Sequence, residues 1–160
     1  PAFDKQGTVT AANASKINDG AAALVLAGAE TVSKLQLKPL ARIVAYATHS
    51  QDPQWFTTAP VGAMEKALRA AGLDASQIDL FEINEAFSNV TLAAMKELKI
   101  PRDKVNVNGG AVALGHPIGA SGARILTTLV HALQHNQKKY GLATLCIGGG
   151  EAVALIVENL

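Results

Sequence analysis

Apolar side chains along this chain fall into short runs separated by polar, glycine-bearing joints, and the spacing within each run selects an element. Residues 1–20 are polar and turn-rich, with Gly7, Asn13, Ser15, Asn18, Asp19 and Gly20, and read as loop. Residues 21–27 (AAALVLA) form an apolar run expected as a strand, and a short helix is expected over 29–35. Residues 40–47 (LARIVAYA) read as the next strand. Val61, Met64, Leu68 and Ala71 share one face of a helix over 60–71, with Pro60 suited to its first turn and Gly72 to its exit. Residues 79–83 read as a strand and 85–98 as a helix stopped before Pro101. A short strand over 105–107 opens onto a glycine-rich loop from Gly109 to Gly115. Leu126, Leu129, Val130 and Leu133 recur at helical spacing. Two apolar runs, 142–147 and 152–157, flank Gly148-Gly149-Gly150 and read as a hairpin.

From residue 40 the order is βαβαβαββ. Such alternation predicts an α/β fold: a mixed five-stranded sheet, mostly parallel, with helices on both faces and an antiparallel last strand.

Composition supports a core of small residues. Hydrophobic residues make up 49% of the 160 positions but aromatics only 4%, so Ala, Val, Leu and Ile must build the interior. Small side chains let helices approach a sheet closely. The net charge of +1 carries no basic block, and stacking aromatics are sparse, so no nucleic-acid partner is expected. No apolar run reaches the ~18 residues of a membrane span, and no secretory signal pattern is visible. The cytoplasm is the expected compartment, with any organellar signal expected outside these residues. One cysteine, Cys146, rules out an internal disulfide.

Three polar positions fall at strand ends, where open α/β sheets place their sites. Asn84 follows a strand and precedes a helix; its plainer reading is an N-cap. His116 ends a run of small residues just before a helix, where glycines allow close approach of a ligand and free N–H groups add positive potential. Its plainer reading is a loop histidine bonded to backbone. Cys146 ends an apolar strand; a lone buried cysteine is usually inert packing. The three following glycines keep a second reading open, because bare N–H groups beside a thiol can form an oxyanion hole. His131 and His135 share a helix face, but no further ligand accompanies them, so they read as surface residues and no metal is expected. The glycines from Gly115 to Gly122 fit neither a dinucleotide fingerprint nor a P-loop.

These residues belong to four longer motifs: Gly7-Thr8-Val9-Thr10-Ala11-Ala12-Asn13-Ala14-Ser15; Asn84-Glu85-Ala86-Phe87; Asn108-Gly109-Gly110 through Gly115-His116-Pro117 to Arg124; and Cys146-Ile147-Gly148-Gly149-Gly150. Together, in this order and spacing, they resemble the thiolases, and the run from Val105 to Leu126 is most similar to the biosynthetic acetoacetyl-CoA type.

The resemblance implies the thiolase fold and a reaction: Claisen condensation of two acetyl-CoA to acetoacetyl-CoA and CoA, or the reverse thiolysis. It assigns the base to Cys146 and activation of an acyl-accepting thiol to His116. It also implies that His116 and a water held by Asn84 form an oxyanion hole for the thioester oxygen, and that the Gly148 N–H contributes to a second. Ser15 and Phe87 are implied CoA contacts. No cofactor is implied beyond the CoA thioesters that serve as substrates. The acyl-accepting cysteine is expected in a separate N-terminal half, so these 160 residues alone are expected to be inactive. Residues 1–38 are expected to belong to that half and 39–160 to form the C-terminal domain; the complete enzyme is expected to be a homo-oligomer. Glu151 stands where Gln or Met is usual, and Phe56 where biosynthetic members often carry Met. A non-catalytic CoA-binding or scaffold domain and a longer-chain 3-ketoacyl-CoA thiolase are the alternatives. A 3-ketoacyl-carrier-protein synthase relative is disfavoured, because those enzymes lack a base cysteine.

Overall fold

The computed structural model describes residues 1–160. Residues 1–28 form no helix or strand. The elements then run α1 (Ala29–Lys34), β1 (Ala41–Ser50), α2 (Ala59–Ala71), β2 (Leu80–Ile83), α3 (Ser88–Glu97), α4 (Ala111–Leu114), α5 (Ser121–His135), β3 (Tyr140–Ile147) and β4 (Glu151–Asn159). A 3-10 segment, Pro53–Thr58, leads into α2. That helix closes as its sequence predicts: Gly72 is left-handed at φ 65°, and the Leu73 N–H returns to the Leu68 carbonyl at 3.0 Å.

The sheet order is β1-β4-β3-β2. β4 is antiparallel to both neighbours, while β3 and β2 are parallel. Period-two alternation splits the apolar side chains between two layers. Phe81, Ile83, Leu142, Cys146, Ala154 and Ile156 face α2 and α3. Leu80, Ala143 and Val157 face α5, whose Ile125, Leu129 and Leu133 cover them. Helices on both faces are thus obtained. The small-residue reading holds at Gly141, where an added Cβ would lie 2.8 Å from the methyls of Leu129 and Leu133.

The sheet has four strands rather than the expected five. Of residues 105–107 only Val105 pairs, through one bridge to Phe81. Asn106 then turns to φ 47°, a left-handed backbone that ends a strand. Residues 21–27 form no strand either, and Val25 is 95% exposed. The run is apolar enough for burial, but no segment of this chain offers it a ladder. The expected helix over 85–98 starts only at Ser88. Phe87 is extended and bridges Ala14, which holds residues 84–87 outside the helix. No helix is long and apolar enough to cross a membrane.

Candidate active site

Asn84 leaves the end of β2 with its N–H donating to the Thr144 carbonyl at 3.0 Å, so the ladder to β3 continues through it. Its side chain is fully buried. It caps nothing: α3 begins four residues later behind Phe87, which removes the N-cap reading. Its Nδ2 instead lies 3.4 Å from Nε2 of His116, and its Oδ1 has no partner.

His116 stands at the exit of the glycine-rich segment. Its N–H donates to the Lys16 carbonyl at 2.8 Å, which ties the loop to the N-terminal residues. Gly115, at φ 99°, is packed so closely on the Asn18 side chain that a Cβ would collide with it. The ring Nδ1 lies 2.6 Å from Ser121 Oγ, and that hydroxyl donates to the Pro117 carbonyl at 3.1 Å. The hydroxyl's proton is therefore committed, and Nδ1 must carry the ring hydrogen. Nε2 is left as an acceptor facing Asn84. Burial, with a smaller push from the Arg124 charge, holds the imidazole pKa below its ordinary value. His116 is thus a neutral base with its free lone pair on Nε2.

Cys146 is buried near the end of β3, opposite Ala152. It lines a cavity of about 330 Å³ together with His116, Gly148, Phe56, Ala86 and Ile118. A thiolate base near neutral pH needs its pKa depressed by nearby dipoles. The structure shows the opposite: burial pushes the Cys146 thiol up, against a smaller lowering by its own backbone N–H. Beyond it, Gly149 and Gly150 take φ of 96° and 89°, and a Cβ on Gly150 would strike the Gln51 carbonyl. Glycine here is a steric requirement of the turn that presents Gly148.

The remaining expected residues flank this cavity rather than line it. The Ser15 N–H donates to the Ala86 carbonyl at 3.0 Å, beside the lining. Phe87 stacks edge-to-face on Phe56 and on Phe3, with ring centroids 6.2 and 6.1 Å away. Glu151 is exposed at the start of β4. His131 and His135 are exposed on α5, and no group of three or more His, Cys, Asp or Glu is placed to hold a metal ion.

Five side chains around the site escaped the sequence reading. Ser121 fixes the His116 tautomer. Asn106 and Glu85 connect the end of β2 to the glycine-rich segment. Arg124 lies 3.8 Å from Glu82, a carboxylate only 2% exposed. Desolvation raises the Glu82 pKa to about 7, with Arg124 opposing and Glu85 adding to the rise. A carboxylate inside an otherwise apolar strand (LFEI) was the available signal; the others depend on proximity across the fold.

Comparison with known proteins identifies the family of the chain. The C-terminal domain of thiolase matches residues 37–159, and the N-terminal domain of thiolase matches residues 1–30. The chain is 58% identical over its whole length to a probable acetyl-CoA acetyltransferase of Dictyostelium discoideum and to an acetyl-CoA acetyltransferase of Escherichia coli, covering 39% and 41% of them. Among solved structures it superposes on the Bacillus anthracis acetyl-CoA acetyltransferase with a TM-score of 0.97 at 49% identity, covering 100% of this chain and 41% of that one. A human mitochondrial 3-ketoacyl-CoA thiolase in complex with CoA gives a TM-score of 0.92 at 42% identity, covering 100% of this chain and 40% of that one. The chain therefore spans about two fifths of the relatives it matches. With the C-terminal domain of thiolase accounting for residues 37–159 and the fold shared, this chain belongs to the thiolase family.

Proposed function

We propose that this chain supplies the enolising part of a thiolase active site that condenses two acetyl-CoA to acetoacetyl-CoA and CoA, or runs the reverse thiolysis. The supporting observation is that His116, Cys146 and Gly148 line one cavity while Asn84 abuts His116. The methyl next to a thioester is a very weak acid. Its proton can leave only if the enolate oxygen is stabilised as charge develops. In condensation the Cys146 thiolate takes that proton. The enolate carbon then attacks an acyl group held as a thioester on a cysteine of the N-terminal half. A carbon–carbon bond forms and the cysteine's carbon–sulfur bond breaks. His116, neutral with Nε2 free, suits the earlier step: it accepts the proton of that cysteine as the thiol becomes acylated. The resulting Nε2–H and a water held by Asn84 are suitable donors to the thioester oxygen, and the Gly148 N–H suits the second oxyanion hole. A buried, protonated Cys146 suits thiolysis, where the enolate must receive a proton.

In this reading residues 1–38 belong to the N-terminal half and 39–160 form the C-terminal domain. Ser15 and Phe87 contact CoA, and the complete enzyme is a homo-oligomer without further cofactor. A working thiol needs a reducing compartment, which favours the cytoplasm. Thiolysis of acetoacetyl-CoA by CoA tests the proposal. The 160-residue chain alone should give no cleavage, and adding an N-terminal thiolase segment should restore it. Cleavage by the chain alone would overturn the divided site. CoA binding without turnover in every pairing would instead favour a scaffold domain.

A further inference from the structure

The outer edge of β2 is completed by a side chain. After Val105 pairs with Phe81, the Asn106 N–H donates to the Phe81 carbonyl at 2.9 Å. At φ 47° the backbone of Asn106 can pair no further. Its amide takes over: Oδ1 accepts from the Ile83 N–H at 2.8 Å, and Nδ2 donates to the Ile83 carbonyl at 2.9 Å. The residue fixed in this way is the one before Asn84. The same Nδ2 donates to Glu85 Oε1 at 3.0 Å, and Glu85 Oε2 accepts from the Val112 N–H at 3.1 Å. Val112 lies in α4, which ends one residue before Gly115-His116. Gly110 lies so close under the carboxylate that a Cβ there would collide with it. One chain of hydrogen bonds thus runs from the backbone beside Asn84 to the segment carrying His116, and touches the 330 Å³ cavity nowhere.

We propose that Asn106 and Glu85 are positioning residues that set the relation of Asn84 to His116, acting on the reaction proposed above without touching its substrates. Every acceptor and donor in the clamp is matched once. Glu85 uses both oxygens as acceptors, so an amide in its place must turn an N–H₂ toward a donor. A misplacement of about 1 Å in an active site can cost about 10²-fold in rate. The inference rests on the thiolase reading for its kinetic arm only.

The test uses Glu85→Gln and Gly110→Ala, which disturb the clamp at the Glu85 carboxylate in two different ways, one by its chemistry and one by its space. The first read-out is NMR of the 160-residue chain itself. The His116 ring and Asn84 side-chain amide resonances should move in both variants, while the exposed His135 stays unchanged. The second is thiolysis by the chain assembled with an N-terminal thiolase segment. There kcat should fall about 10²-fold with KM within twofold of the unsubstituted protein. Unmoved His116 and Asn84 resonances in a folded variant overturn the proposal whether or not the assembly is a thiolase. So does kcat within twofold of the unsubstituted protein in an active assembly. If one variant fails to fold, the other carries the same expectations.

Discussion

Nδ2 of Asn84 lies 3.4 Å from Nε2 of His116, although 32 residues separate them along the chain. The contact is long for a hydrogen bond, so the amide can release the ring when a substrate oxygen or a proton arrives. Replacing Asn84 by Ala should lower kcat for thiolysis by about 10²–10³-fold, the cost of losing one oxyanion-hole donor. A fall of less than about threefold in steady-state assays would be incompatible with the role. Asn84→Asp sets a carboxylate against the same nitrogen. It should raise the His116 pKa, which burial and Arg124 now hold low, and move the acid limb of the rate–pH profile upward.

Cys146 is the only cysteine of the chain, so its titration can be followed without ambiguity by alkylation. Burial raises its pKa above the ordinary 9.0, and thiolate is the reactive form. The rate of iodoacetamide labelling of the 160-residue chain should therefore still be rising at pH 9.0. A plateau reached near neutral pH would mean that dipoles outweigh desolvation at this thiol.

Glu82 should make the fold pH-sensitive. Its pKa is raised on folding, from an ordinary 4.5 to about 7, chiefly by burial. Its stabilising contribution is therefore complete below pH 4.5 and lost as pH rises through about 7. The size of the gap corresponds to a loss of about 3 kcal/mol. Denaturant unfolding should show the stability of the unsubstituted chain falling by about that amount relative to Glu82→Gln between pH 4.5 and 8. Parallel stability curves for the two proteins would remove the argument. His116 acts in the opposite sense, since its lowered pKa costs stability as pH falls below the ordinary 6.5. That effect is common to both proteins and cancels in their difference.

Phe56 lines the cavity and leans edge-to-face on Phe87. Trimming it to Ala opens space beside Cys146. The ratio of kcat/KM for 3-ketohexanoyl-CoA over acetoacetyl-CoA should rise about tenfold or more, within the range that added methylenes produce in an apolar pocket. An unchanged ratio would show that Phe56 does not limit the acyl group.

The most legible parts of the fold were those set by local period. The apolar runs 142–147 and 152–157 gave β3 and β4, and the glycines between them gave the turn. Pro60 and Gly72 bracketed α2 to within a residue. The errors lie where a partner decides. The apolar run 21–27 signals a need for burial but cannot say whether a sheet edge is present, and here none is. Asn106 reads as part of a strand because its left-handed backbone and its use of a side chain as a strand depend on the edge of β2. Asn84 looks the same as an N-cap until Phe87 is seen bridging Ala14. The candidate site was legible as three residue types, Asn84 and Cys146 at the ends of β2 and β3 and His116 beyond α4 rather than at a strand end, which the fold brings to one cavity and its rear wall. Ser121, Glu85 and Arg124 were not, because their effect on His116 and Asn84 is tertiary. The direction of the Cys146 pKa was not legible either, because it is set by burial in the folded chain.

The most direct test of the account is exchange of the acetyl-CoA methyl protons with deuterium oxide. It would be followed by NMR on the chain assembled with an N-terminal thiolase segment. Exchange needs only enolisation, the step assigned to Cys146 with His116, Asn84 and Gly148 around the thioester. Deuterium uptake is expected in the unsubstituted assembly, and its loss in Cys146→Ala. Uptake that persists undiminished in Cys146→Ala would contradict the account.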